Sequence, residues 1–124
     1  MMDTKICIST EVIFDFLIGE ENAVQKIKLY SNEDLCMTSL TLFELRSVAE
    51  KQERISELLG YFTILDFDSH AAEIAAHIVR NDLHYGINRN TKSVINAAIC
   101  ITNNSLLFTK NRANFEGIKN IKLI

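Results

Sequence analysis

Proline is absent from this 124-residue chain, and glycine occurs only 4 times. That scarcity excludes a flexible linker, a collagen repeat or a polyproline ligand. Long apolar runs are missing too: none approaches the roughly 20 residues that a membrane-spanning helix needs. The opening Met1-Met2-Asp3-Thr4-Lys5 lacks a basic segment followed by an apolar one. No signal peptide is expected, and a cytoplasmic location with no membrane partner follows as an expectation. Charge of one sign is not in excess. The net charge is -3 and the pI near 5.6, which gives no blanket reason to expect a polyanion partner. Cysteine is sparse and odd in number, at Cys7, Cys36 and Cys100. No pair has metal-ligand spacing and each sits in an apolar stretch, so buried free thiols are expected.

What remains is ordinary for a soluble domain: 48% hydrophobic and 23% charged residues. The length predicts one domain over residues 1–124, large enough to bury roughly two-thirds of its unfolded surface. The apolar pattern alternates in type along the chain. Short apolar runs at 5–9, 35–39, 62–66, 106–109 and 121–124 read as strands. Helical spacing falls at 10–19, 20–30, 41 to about 49, 51–59, 69–84 and 94–102. Thr41-x-x-Glu44 has the capping-box form, Asp68-Ser69 and Ser93 read as helix caps, and Gly19 and Gly60 as stops. Ala71, Ala72, Ile74, Ala75, Ile78 and Val79 form the expected packed face of the long helix. Buried strands alternating with helices predict a three-layer α/β/α fold with a central parallel sheet. Ligands in such sheets gather at the carboxyl ends of the strands.

The residues at those strand ends carry a family resemblance. Ile8-Ser9-Thr10-Glu11 with its apolar sequel, Thr38-Ser39-Leu40-Thr41-Leu42-Phe43-Glu44-Leu45, Ser93-Val94-Ile95-Asn96-Ala97-Ala98 and Thr109-Lys110-Asn111-Arg112-Ala113-Asn114-Phe115 occur in that order. Together they resemble the motifs of the PIN domain, and within it the VapC-type toxins of toxin–antitoxin pairs. The resemblance covers nearly the whole chain. It implies a magnesium- or manganese-dependent ribonuclease in which three or four carboxylates hold the metal, with a homodimer and an antitoxin protein as partners. The acidic set falls here on Ser9, Glu44, Ser93 and Asn114, and only Glu44 is still an acid. A serine hydroxyl is a neutral, weaker ligand, and magnesium dehydrates reluctantly. The expectation is therefore a degenerate site with no cofactor, and with ribonuclease activity largely lost.

Other acids offer an alternative. Glu11 and Asp15 are weak candidates to hold metal with Glu44 in a residual nuclease. Asp82 and Glu116 are less well placed. Glu44 also has a structural role open to it, reaching back to a helix amide. Serine catalysis at Ser9 or Ser93 is disfavoured: no nucleophile elbow surrounds them, and His70, His77 and His84 all belong to the 69–84 helix. His77 and His84 are expected at the surface.

Charge distribution says more than net charge. Residues 1–83 carry 7 Lys+Arg against 15 Asp+Glu, and residues 84–124 carry 6 against 1. Arg89, Lys92, Lys110 and Arg112 should rim the former catalytic cleft and could contact RNA phosphates. A solvated edge that balances the acidic helices is the other reading of the same residues. Phe14, Leu17, Ile18 and Ile27 are candidates for a dimer or antitoxin surface, or for core.

Overall fold

The protein is described by a computed structural model covering residues 4–48 and 52–124. The expected positions Ala49 and Lys51, at one helix end and the next helix start, lie outside the described residues. The chain runs β1 (Lys5–Ile8), α1 (Thr10–Leu17), α2 (Glu21–Leu29), β2 (Asp34–Thr38), α3 (Ser39–Arg46), α4 (Gln52–Leu59) and β3 (Thr63–Leu65). It continues through α5 (Ser69–His84), α6 (Thr91–Thr102), β4 (Leu106–Phe108), a 3₁₀ turn (Arg112–Phe115) and β5 (Lys122–Leu123). β1, β3, β4 and β5 are shorter than the apolar runs suggest, and β2 keeps the expected length but begins and ends one residue earlier.

All five strands are parallel, in the order β3-β2-β1-β4-β5. Alternation along the strands divides the core in two. Ile6, Ile8, Leu35 and Met37 point to the side covered by α1 to α4, where Val12, Ile13, Leu45 and Ile55 pack. Cys7, Cys36, Leu65 and Leu107 point to the other side, under Ala71, Ala75, Ile78, Ala97 and Ile99 of α5 and α6. The predicted three-layer α/β/α architecture is thus observed. Both faces of the sheet are dry, which is why its central strands read as unbroken apolar runs. No helix among the described residues is long and apolar enough to cross a membrane.

Local chemistry sets the element ends. Gly19 adopts φ +79 just past α1, and its N–H bonds the Phe16 carbonyl at 3.1 Å, a left-handed stop that favours glycine. Asp68 caps α5 by accepting the Ala71 N–H at 2.8 Å, as expected. Three expectations fail. Strand β2 runs straight into α3 with Thr38 as cap, its hydroxyl accepting the Thr41 N–H at 3.1 Å. Thr41 is therefore inside the helix, and Glu44 does not complete a capping box. Helix α6 opens at Thr91 under the Asn90 side chain, so Ser93 is buried in its first turn rather than capping it. On α5, Ala72 and Val79 face solvent, and the buried stripe is Ala71, Ala75, Ile78 and Asp82.

The three thiols are free and buried. Burial pushes the Cys36 thiol up to about 12, with the Asp34 carboxylate adding to it. A hydrogen bond to Cys100, reinforced by burial, holds Cys7 well above its ordinary value. Leu17 and Ile27 belong to the core, Phe14 is half-buried and Ile18 is 70% exposed.

Candidate functional site: a polar cleft at the carboxyl rim of the sheet

Parallel neighbours in register end together. Ile8 pairs with Phe108, and Thr38 with Leu65, so the segments that follow β1, β2 and β4 emerge along one rim. Ser9 is fixed there by its N–H, which donates to the Phe108 carbonyl at 3.0 Å. α6 brings its first turn to the same rim. The result is a cleft of about 260 Å³ whose lining includes Ser9, Glu11, Glu44, Lys92, Ser93 and Asn114. Ser9, Glu44, Ser93 and Asn114, the positions onto which the sequence resemblance maps an acidic set, thus line one cavity.

Both oxygens of Glu44 are engaged. Oε1 accepts the Thr10 hydroxyl at 2.9 Å, and Oε2 pairs with Lys92 Nζ at 2.9 Å. Behind Thr10 stands Thr41, their hydroxyls 2.8 Å apart. Thr10 has one proton and gives it to the carboxylate, so Thr41 donates to Thr10. Thr38 donates to Asn96 Oδ1 at 2.7 Å, tying the start of α3 to α6. Hydroxyls and amides, rather than acids, organise this wall.

Glu11 is held just as firmly. Its Oε1 accepts from Ser9 Oγ at 2.6 Å, Thr109 Oγ1 at 2.7 Å and the Lys110 N–H at 3.2 Å. Asp15 pairs with Lys110, whose side chain is 53% exposed, and this hydrogen bond raises the lysine's pKa. Among the described residues, no three His, Cys, Asp or Glu side chains come together as potential metal ligands.

The basic residues separate into different roles. Lys92 lines the cleft, with its side chain 62% exposed. Arg89 turns inward. Its Nε lies 2.9 Å from Asp82 Oδ2, both side chains are at most 7% exposed, and its Nη1 donates to the Asn114 carbonyl at 2.9 Å. Arg112 donates to the Ile124 carbonyl at 3.1 Å. His77 and His84 are exposed, as expected.

Ser93 is only 7% exposed and lines the cleft. Sequence reasoning missed Thr38, Asn96 and Thr109 as site-building groups. The available signal was a hydroxyl residue at the end of β2 and immediately after β4.

Comparison with known proteins agrees with this geometry. The sequence pattern of the PIN domain matches residues 6–120. No curated protein matches the sequence significantly. Among solved structures, VapBC2 from Rickettsia felis, bound to a DNA fragment from its promoter, superposes with a TM-score of 0.85 at 18% identity over 98% of each chain. DNA-bound VapBC from Salmonella typhimurium gives 0.83 at 24% identity, over 98% of this chain and 97% of the other. FitAcB from Neisseria gonorrhoeae gives 0.80 at 22% identity over 96% of each chain. With a family pattern spanning residues 6–120 and a fold shared almost end to end with toxin–antitoxin proteins, this chain belongs to the PIN domain family.

Proposed function

We propose that this is a VapC-like PIN protein whose metal-dependent ribonuclease centre is degenerate, and that it acts by binding an antitoxin-type protein or RNA. One observation carries the reading. Of the four strand-end positions where PIN nucleases keep acids, only Glu44 is a carboxylate, and both its oxygens are already bonded, one of them to Lys92. Magnesium and manganese need several free oxygen ligands with net negative charge. Two neutral serines, an amide and an ammonium do not fit such an ion. An antitoxin partner is supported by the resemblance to VapBC complexes, some of them crystallised on DNA. A homodimer and a cytoplasmic location belong to the same reading. For RNA, Lys92 lines the cleft, and the exposed Lys110 and Arg112 adjoin its lining residues Thr109 and Asn111 in sequence.

The reading is tested by manganese titration calorimetry on the purified protein together with cleavage of structured RNA. No measurable manganese binding and no cleavage are expected. Metal-dependent cleavage lost in Glu44→Ala would overturn it. That outcome would favour a second reading, a weak nuclease built on Glu44 with Glu11 or Asp15. Its support is that Glu11 shares the cleft and has no partner on Oε2 among the described residues.

A further inference from the structure

Helix α5 carries more apolar residues than it buries. Ala71, Ala75 and Ile78 face the core, with Asp82 in line. A second stripe, Ala72, Ala76, Val79 and Leu83, repeats at intervals of 4, 3 and 4 residues. It faces solvent throughout, with Val79 42% and Leu83 74% exposed. It lies about 100° round the helix from the buried stripe. α6 occupies the other flank, where Ile74, Ile78 and Asn81 share a groove with Ile101. The free stripe thus has the spacing of a seam between two paired helices. We infer that it is the face on which two copies of this chain pair, their α5 helices antiparallel about a two-fold axis near residues 77 and 78; this rests on the homodimer in the reading above and gives it a surface.

Size and charge both select a second copy in this orientation. Antiparallel pairing about that axis sets Ala72 against Leu83 of the second copy, and Ala76 against its Val79. Every layer then joins one small and one large side chain, so the seam fills evenly. Parallel pairing would stack alanine on alanine at one end and leucine on leucine at the other. Glu73 and Arg80 flank the stripe and are both exposed. Seven residues separate them, about 10 Å along the axis, beyond the reach of an i,i+4 pair on one helix. Neither joins an ion pair among the described residues. Antiparallel pairing places Glu73 of each copy beside Arg80 of the other, twice over by symmetry. Parallel pairing would instead bring Asp68 toward Glu73, two like charges. The seam is about 17 Å long. Phe67 before it and Ile87 after it are 42% and 40% exposed, and the two-fold axis brings the Phe67 end of one helix to the Ile87 end of the other. An interface this small implies micromolar association.

The test is sedimentation equilibrium of the full chain from micromolar to millimolar concentration, with a circular dichroism melt of each variant to confirm folding. The unaltered chain should pass from monomer to dimer across that range. Leu83→Arg, at an exposed position, should stay monomeric without a lower melting temperature. Glu73→Arg and Arg80→Glu each turn both ion pairs into like-charge contacts and should each weaken the dimer about tenfold. Mixing those two variants restores both pairs and should restore association between them, a rescue that a merely structural role for either residue would not give. A chain still monomeric at millimolar concentration overturns the inference and removes the homodimer from the reading above. A dimer indifferent to Leu83→Arg, or a mixture no tighter than its components, overturns the α5 surface and leaves the homodimer standing on another face. In each case manganese titration reads the degenerate centre independently.

Discussion

Cys36 links burial to pH. Its thiol stays neutral in the folded chain up to about 12, above the ordinary value of 9.0. The folded state therefore holds a proton that the unfolded state releases first, and stability falls as pH rises. That contribution is intact below pH 9 and is lost progressively toward pH 12. Melting temperature should drop more steeply above pH 9 in the native protein than in Cys36→Ala. All three thiols should resist alkylation until the chain unfolds, because all three are buried out of the reagent's reach. Mass spectrometry after iodoacetamide treatment, with and without denaturant, checks this. Lys92 behaves differently. Its side chain is 62% exposed, so Lys92→Ala should cost under about 1 kcal/mol by denaturant titration. Ligand binding, not stability, is where its loss should register.

Among the elements, α3 and α6 separate what the sequence could reveal from what it could not. Their existence was legible from apolar spacing, and three of the four motifs were legible because each follows a buried strand, whereas the Ser93 motif opens α6 after a polar loop. Their starts were misread because Thr41 and Ser93 look like caps. The groups that cap, Thr38 and Asn90, each lie three residues earlier. Glu44 was placed correctly in the chain, yet its partner Lys92 is 48 residues away, and only the parallel sheet brings them together. Arg89 gave no sign of turning inward, since its partner Asp82 lies near the end of the preceding helix and reads as a surface acid. Thr38→Ala removes a cap and the bond to Asn96, so about 1–2 kcal/mol of stability should be lost. Asp82→Ala leaves the buried Arg89 guanidinium unpaired and should cost about 3–5 kcal/mol, read from urea denaturation.

The whole molecule keeps its core away from its rim. Large side chains such as Ile13, Leu45 and Ile99 fill the interior, while Ser9, Glu44, Ser93 and Asn114 stand where the strands end. Leu45→Ala should therefore cost about 2–5 kcal/mol through cavity formation. Introducing Ser9→Asp, Ser93→Asp and Asn114→Asp together should instead lower stability modestly, about 1 kcal/mol per close pair of like charges in water. Millimolar manganese should recover that loss in a thermal melt, a response the unaltered protein should lack.

The Arg89 clamp has a consequence at this scale. Asp82 does not line the cleft, yet through Arg89 it holds the Asn114 carbonyl, and so the turn that forms one wall. Damage there propagates inward. A library of random variants scored for lost binding will recover Asp82 beside the cleft residues, although it touches no ligand. Its signature will be a fall in expression and melting temperature along with affinity, whereas a cleft lesion lowers affinity alone.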